Sequence, residues 1–321
     1  MSQKPVLHAR DHLPGGADPL RIVFPTSQYS NAIINNPEGG LVLYWKLDEL
    51  GTSTTAAVDS SGNGQDGVYG VDGAAVVDPT AHPTLGVAGL ADGTAARFDG
   101  VNDNVVIGDP GATLTGLTGF GVMSVECWAE TTTAGSLAFN ALPTIIGADT
   151  SSANGRFFNV TIDPGGGTNY VVFNTAGTGF LATGSIVIND GARHHIVCTF
   201  DATDMRIYVD GVLDVTHTPS MAGHPLADHL HALSVGGGCP NGGGFINANI
   251  AGTVDEVALY TSVLALDTIQ TQFLLGQASS GAAGATGATG PAGPSGVGAT
   301  GATGAAASTS LGLIIALGGS E

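Results

Sequence analysis

Glycine recurs at every third position near the C-terminal end of the chain. The period is strict from Gly281 to Gly296 and, after a slip of one residue, continues to Gly304. Such a period has a physical cause in a triple helix of polyproline-II-like chains, because only hydrogen fits where three backbones crowd around one axis. The pattern predicts a triple-helical segment at residues 279–306 and therefore a homotrimer. The alternative is a flexible linker rich in Gly, Ala and Thr.

The long middle of the chain, residues 38–278, alternates apolar and polar residues with the period of two that is typical of strands. Short runs of this kind are separated by turns rich in Gly and Asp. One stretch alone, Ser262 to Leu275, has the spacing of a helix. Many short strands with almost no helix predict an all-β fold, either a sandwich or a jelly roll.

Two short segments flank these zones. Residues 1–37 are interrupted by prolines, and we expect them to anchor or intertwine the chain. Residues 307–321 contain the apolar run from Leu311 to Leu317, and three copies of this run are expected to clamp the end of a triple helix. The run is far shorter than the roughly 20 apolar residues that a membrane helix needs, so no membrane span is predicted.

Composition narrows the range of partners. The chain has 8 Lys and Arg against 27 Asp and Glu, which gives a formal net charge of −19. This balance argues against nucleic acid or an anionic membrane as partner, since both need a basic surface. The 3 cysteines form no disulfide framework, and Cys127 and Cys198 lie in apolar runs where we expect them to be buried. With no secretory signal at its start, the chain is expected to fold in a reducing cytoplasm.

A series of sequence blocks follows a fixed order through the middle zone: Tyr44–Glu49, Val58–Gly64, Ala96–Gly100, Met123–Trp128, Arg193–Asp201, Ile207–Gly211 and Gly252–Val257. Together, over residues 40–277, they resemble the laminin-G-like, concanavalin A-like jelly-roll family. The resemblance implies a concanavalin A-like jelly-roll sandwich for residues 38–278. Members of this family are mostly binding and adhesion modules, often for glycans, and many hold a structural calcium ion.

The segment from His8 to Leu20 is similar to one found near the start of many bacteriophage tail-fibre and minor tail proteins. Together with the glycine repeat from Gly281 to Gly304, which is collagen-like, this similarity implies a trimeric phage tail-fibre or minor tail protein. Such a protein would be made in the host cytoplasm and located in the tail of the virion. Its jelly roll would then bind a host cell-surface glycan, while other parts contact other tail proteins. The alternative is an architectural decoration or connector of the tail or capsid that has no glycan ligand.

The resemblance also implies a calcium site. Asp59 and Asn63 lie on a turn-rich loop, and Asp255 matches the position at which the family brings a carboxylate to the same ion. Calcium prefers six to eight oxygen ligands of this kind. The alternative is that Asp59 and Asn63 close an Asx-type turn while Asp255 caps a strand end.

Two histidine pairs are candidates for a transition metal. His229 and His231 would face one side of a strand, so that three chains supply six ligands around a threefold axis. His8 and His12 form a second local pair, and either pair is alternatively a surface or interface feature. His194 and His195 fall at a strand start, where packing and a satisfied ring nitrogen are expected.

The sequence contains little evidence for a catalytic site. Glycosidases on this fold need two carboxylates at a defined separation, whereas Glu126 and Glu130 do not match that signature and are expected to face solvent. We therefore predict a protein that is not an enzyme. Trp45 and Trp128 are expected in the core. Exposed aromatic residues and loops that would form a sugar site are Tyr170, Phe180 and Phe245, with residues 149–155, 176–184 and 236–247.

Overall fold

The computed structural model describes most of the middle zone and part of the segment before it. The described ranges are 28–50, 56–71, 74–75, 82–107, 122–134, 143–150, 156–163, 170–175, 181–218, 230–237, 240–241, 244–245 and 249–280. The predictions of a triple helix at 279–306, an apolar clamp at 307–321, and ligands at His8, His12 and His229 therefore lie almost wholly outside the described residues.

The described residues form two helices and a series of short strands. The helices are α1 (Gln28–Ile34) and α2 (Leu266–Ser280). The strands are β1 (Leu41–Trp45), β2 (Ala56–Ala57), β3 (Gly67–Val71), β4 (Ala74–Ala75), β5 (Thr84–Ala88), β6 (Thr94–Asp99), β7 (Asp103–Ile107), β8 (Met123–Thr131), β9 (Thr144–Thr150), β10 (Arg156–Asp163), β11 (Tyr170–Thr175), β12 (Leu181–Val187), β13 (Arg193–Phe200), β14 (Met205–Val209), β15 (Val212–His217), β16 (Leu230–Val235), β17 (Pro240–Asn241), β18 (Gly244–Phe245) and β19 (Ala251–Tyr260). The prediction of an all-β fold is confirmed.

The strands build two large antiparallel sheets. The first has the order β15-β14-β13-β8-β19-β6-β5, with β1 also paired to β19, and is called the eight-stranded sheet. The second, called the nine-stranded sheet, has the order β12-β11-β10-β9-β16-β7-β3-β2, with β4 paired to β3. The first and last strands of the domain are direct partners, since Leu41 pairs with Tyr260 and Trp45 with Val257.

One large apolar core lies between the two sheets. Period-two alternation sends every second side chain inward, and the inward set from both sheets includes Trp45, Phe98, Phe158 and Phe200, all nearly inaccessible. The cysteines Cys127 and Cys198 are buried and free, as predicted. Burial in this apolar layer raises the pKa of the Cys127 thiol, which keeps it protonated and unreactive.

A second, smaller core lies on the other face of the eight-stranded sheet, beneath the helices. Tyr29 and Ile33 from α1 and Ile269 from α2 pack there against outward-facing strand residues, which include Trp128. The Trp128 ring stacks on Phe273 of α2 at a centroid distance of 5.9 Å. This sheet is therefore covered on both faces. None of the described helices has the length and apolar character needed to cross a membrane.

The helices depart from the sequence expectations in two ways. Helical spacing was predicted over 262–275, whereas α2 runs from Leu266 to Ser280 and reaches the first glycine of the period-three repeat. No helix was predicted before residue 38, yet α1 forms there with Tyr29 and Ile33 fully buried. Residues 28–37 therefore pack with the jelly roll, although the sequence assigned them to the preceding segment.

Candidate functional site

Asp59 and Asn63, two of the predicted calcium ligands, hold their own loop in place. One carboxylate oxygen of Asp59 accepts hydrogen bonds from the amides of Tyr44 and Ser61, at 3.0 and 2.9 Å. The other accepts from the Ser61 hydroxyl and the Gln65 amide, at 2.8 and 2.9 Å. The side-chain amide of Asn63 donates to two carbonyl oxygens of β1. These contacts match the Asx-type alternative, and the calcium site stays a prediction.

Asp255, the third predicted ligand, lies in a different hydrogen-bonding environment. Its Oδ2 accepts from the amides of Leu90 and Ala91, at 2.7 and 3.2 Å. Its Oδ1 has no hydrogen-bond partner among the residues that the structure describes, although Asp255 is fully buried. Burial raises its pKa to about 8, and the nearby charges of Asp48 and Asp92 act in the same direction. The hydrogen bonds described for Asp255 do not involve the Asp59 loop.

A bulge in β19 sets a second carboxylate beside Asp255. The register with β8 shifts between Asp255 and Ala258, and Glu256 has a φ of 55°, a value rare for a residue with a large side chain. Glu256 is fully buried and accepts a hydrogen bond from the Tyr44 hydroxyl, while its Oε1 has no hydrogen-bond partner within the described ranges. Burial raises the pKa of Glu256, and the charge of Asp255 raises it further.

Glu126, which was expected to face solvent, is fully buried, and that expectation is wrong. Its side chain projects toward the helices that cover this face of the sheet. One carboxylate oxygen accepts a hydrogen bond from the Tyr260 hydroxyl at 2.6 Å. The other lies 3.5 Å from Nε2 of His195. Glu130, four residues along β8, is only partly buried and pairs in register with Arg193.

The two adjacent histidines differ in their contacts. His194 lies 2.8 Å from Asp210 and 3.2 Å from Asp190 through its two ring nitrogens, and these carboxylates raise its pKa. The ring of His195 instead stacks on Trp128 at 5.0 Å, and neither of its nitrogens has a hydrogen-bond partner in the described part of the chain. The expected satisfied nitrogen is thus found for His194 and not for His195.

We refer to Glu126, His195, Asp255 and Glu256 as the buried acid cluster. Its members come from adjacent strands β8, β13 and β19 of one sheet, and α1 and α2 close it off from solvent. Within the part of the chain that the structure describes, no group of three or more His, Cys, Asp or Glu residues is arranged to hold a metal ion. His231 lies in β16, and its proposed partner His229 lies outside the described residues.

A second polar feature lies on the outer face of the nine-stranded sheet. Phe158, Val160 and Ile162 of β10 enter the core, so the intervening Asn159 and Thr161 project to the opposite face. The residues that share this face form what we call the polar row, namely Asn104, Thr144, Asn159, Thr161 and Ser234. Each of them is at most 6% exposed.

The polar row extends across the neighbouring strands β10, β9, β16 and β7. Thr161 pairs directly with Thr144, whereas Asn104 lies two residues from Val106, the register partner of Ser234. Ser234 of β16 pairs with Gly147 of β9, and Gly147 in turn pairs with Asn159 of β10. A Cβ at Gly147 would lie 2.5 Å from Oδ1 of Asn159, so only glycine permits this approach. Oδ1 of Asn104 and Oγ1 of Thr161 are buried and have no hydrogen-bond partner in the part of the chain that the structure describes. Buried polar atoms of this kind call for a partner, such as a ligand or water.

The strands that flank the predicted sugar-site loops end at opposite ends of the nine-stranded sheet. The end of β9 and the start of β10 lie at one end, as do the end of β11 and the start of β12. β16 ends at the other, where the amide of Gly236 donates to the carbonyl of Ile145. Residues 151–155, 176–180, 238–239, 242–243 and 246–248 of these loops lie outside the described residues. Tyr170 and Phe245 lie in β11 and β18, and Phe180 lies outside the described residues.

Comparison with known proteins agrees with this architecture. The family described as the Concanavalin A-like lectin/glucanases superfamily matches residues 98–270, which is more than half of the chain. None of the curated proteins matches the chain by sequence.

Solved structures with a similar fold come from several binding domains. The binding domain of Paraclostridial Mosquitocidal Protein 1 has 14% identity and a TM-score of 0.50, with 73% of this chain and 52% of that chain covered. A structure of botulinum neurotoxin type C, which depends on interaction with two ganglioside molecules to enter cells, has 12% identity and a TM-score of 0.50, with 77% and 53% covered. The chain thus spans about half the length of these domains, and the likeness shows the fold alone.

Domain 4 of AbnA, an extracellular arabinanase from Geobacillus stearothermophilus solved with arabinotriose, has 17% identity and a TM-score of 0.49. The alignment covers 73% of this chain and 98% of that domain.

Proposed function

We propose, because the chain belongs to the concanavalin A-like lectin/glucanases superfamily, that its jelly roll binds a carbohydrate without acting on it. The polar row is the observation that carries this proposal. It presents uncharged amide and hydroxyl groups, which can both donate hydrogen bonds to sugar hydroxyls and accept them. Among the described residues, Oδ1 of Asn104 and Oγ1 of Thr161 have no hydrogen-bond partner.

The charge distribution supports a neutral ligand at this face. The members of the polar row carry no charge, although the chain as a whole has a formal net charge of −19. A site of precisely placed neutral polar groups suits an uncharged sugar ring, since nothing in it would have to be neutralised on binding. Botulinum neurotoxin type C, which has a similar fold, interacts with gangliosides, which supports a carbohydrate as ligand; gangliosides are acidic, so they do not bear on the charge of the ligand.

An array of bacterial cell-surface oligosaccharides tests the proposal. We expect the full chain to bind at least one member of the array, and we expect Thr161→Ala to weaken that binding by about tenfold or more. Thr216→Ala, an exposed change on β15 in the other sheet, is the matched control and should bind normally. Thermal unfolding of both variants separates lost binding from lost folding. An array without any bound glycan, with and without calcium, would overturn the proposal.

We further propose that the whole protein is a homotrimeric phage tail-fibre or minor tail protein, found in the virion tail. The support is the glycine period from Gly281 to Gly304 together with the fibre-like segment from His8 to Leu20. Host cell-surface glycan and neighbouring tail proteins are then its partners. The mass of the full chain in solution, measured by light scattering, should correspond to three copies, and a monomer would contradict the trimer.

A further inference from the structure

Helix α2 is fixed firmly on the eight-stranded sheet. Phe273 stacks on Trp128, and a Cβ at Gly276 would overlap the same Trp128 ring, so the helix backbone lies directly against the indole. The guanidinium of Arg193 lies over the indole of Trp128, at 5.7 Å from the ring centroid. The same guanidinium donates a hydrogen bond to the carbonyl of Leu90 at 2.7 Å. Because rings and backbone interlock here, the domain sets which face of α2 points outward.

The outward face of α2 carries an uncharged stripe. Gln270, Thr271, Leu274, Gln277 and Ala278 are all exposed, and their spacing of three or four residues aligns them along one side of the helix. We call these five residues the α2 stripe. Leu274, near its centre, is 62% exposed, which is high for a large apolar side chain. Gln270, at the end of the stripe far from Gly281, also donates a hydrogen bond to the carbonyl of Gly211 at 3.3 Å.

The sequence that directly follows α2 indicates which partner should cover the α2 stripe. The helix ends at Ser280, and the period-three glycines begin at the next residue, Gly281. In a triple helix the glycines of three chains crowd around one axis, so three copies of α2 must approach each other where the repeat begins. Leu274 precedes Gly281 by seven residues, which is about 10 Å along a helix at 1.5 Å per residue.

We propose that the α2 stripe is the surface through which three copies of the domain contact one another beside the glycine repeat. This inference rests on the trimer of the proposed function. The partner is a second and a third copy of this chain, with the Leu274 side chains meeting near the axis.

Electrostatics favours this surface over the rest of the domain. With a formal net charge of −19 on every copy, contacts through acidic surfaces would be repulsive. From residue 268 to residue 280, α2 contains no charged residue at all, and its one acidic residue, Asp267, lies in the first turn far from the repeat. Three copies can therefore approach along the α2 stripe without burying like charges against each other.

Leu274→Glu in the full chain tests the interface, with Leu266→Glu as the control. Leu266 is 45% exposed and lies on the same helix at the end far from Gly281. Light scattering over a dilution series should show that Leu274→Glu dissociates at about tenfold higher protein concentration or more, while Leu266→Glu matches the wild type. Equal dissociation of wild type and Leu274→Glu overturns the interface while leaving the trimer intact. A monomeric wild type overturns the trimer and the interface together.

A cysteine cross-link gives a second readout that does not depend on stability. Ala278→Cys on the α2 stripe should form covalent dimers within the trimer under mild oxidation, because the three side chains approach each other. Thr203→Cys, exposed on the turn between β13 and β14, should remain uncross-linked. A trimer in which neither position forms cross-links, or in which both do equally, contradicts the proposed contact.

Discussion

Asp255 and Glu256 bring two carboxylates side by side into the interior because the bulge in β19 adds one residue on the face beneath the helices. Each carboxylate keeps one oxygen hydrogen-bonded and leaves the other without a partner. Two buried negative charges in contact would be costly, so the pair retains a proton at pH values where an exposed carboxyl group has lost it.

The stability of the domain should therefore fall as the pH rises. The pKa of Asp255 is raised from 3.8 to about 8, so its contribution to folding is complete below about pH 4 and is lost as the pH passes through about 8. In urea unfolding with EDTA, Asp255→Asn should gain on the order of 2 kcal/mol relative to wild type between about pH 5 and about pH 8. A difference between the two proteins that stays constant with pH would refute the burial argument.

Calcium, if it binds at Asp255, should act against this trend, because a cation stabilises the ionised carboxylate. We expect calcium to raise the thermal midpoint of the wild type above its value in EDTA, and Asp255→Asn to abolish that increase. The effect of calcium on the thermal midpoint should also be measured in Asp59→Asn, because both oxygens of the wild-type Asp59 carboxylate already accept hydrogen bonds. An increase that survives in Asp255→Asn, or no increase in the wild type, counts against the predicted site.

At the scale of elements, period-two alternation predicted the strands well because each strand sends apolar residues into the same core. The alternation failed at Glu126 because it assigns one face of a strand to solvent. Here the helices cover that face as well, and all of β8 except Glu130 is buried. Trp128 on the same face as Glu126 was the available signal that this face is covered too.

Neither helix α1 nor the polar row could be predicted from the sequence, and the reason differs between the two. Helix α1 has only seven residues, Gln28–Ile34, too few for a helical period to be recognised, and tertiary packing of Tyr29 and Ile33 holds it. The polar row depends on which strands become neighbours, and the pairing of Ser234 with Gly147 joins residues that are far apart in sequence.

Because α2 lies directly against the Trp128 ring, adding a single methyl group to the helix at Gly276 should destabilise the domain. Gly276→Ala would press a Cβ against the buried Trp128 ring, so the helix must move away from the sheet. We expect a loss of about 1–3 kcal/mol in the free energy of unfolding, as for other overpacked sites. Thr203→Ala, exposed on the turn between β13 and β14, should change stability little. Equal stability of all three proteins in urea unfolding would show that α2 is not held as described.

At the scale of the whole molecule, we expect the proposed trimer to depend on contacts beyond the jelly roll. The apolar run from Leu311 to Leu317 is expected to pack with its two copies and to hold the glycine repeat together. Deleting residues 307–321 should therefore lower the thermal midpoint of trimer dissociation, measured by light scattering on heating. The unfolding of the jelly roll, followed by tryptophan fluorescence, serves as the internal control and should be unaffected. An unchanged dissociation midpoint would remove the clamp from the proposal.

The direct pairing of β1 with β19 makes the jelly roll easy to exchange as a unit during evolution. Because Leu41 lies beside Tyr260, the chain comes into the jelly roll and goes out of it about one strand spacing apart, about 5 Å. A unit with neighbouring termini can be exchanged as a cassette, since the path of the flanking chain hardly changes. Recombination between related genes can thus exchange one jelly roll for another and leave the flanking segments of the sequence unchanged.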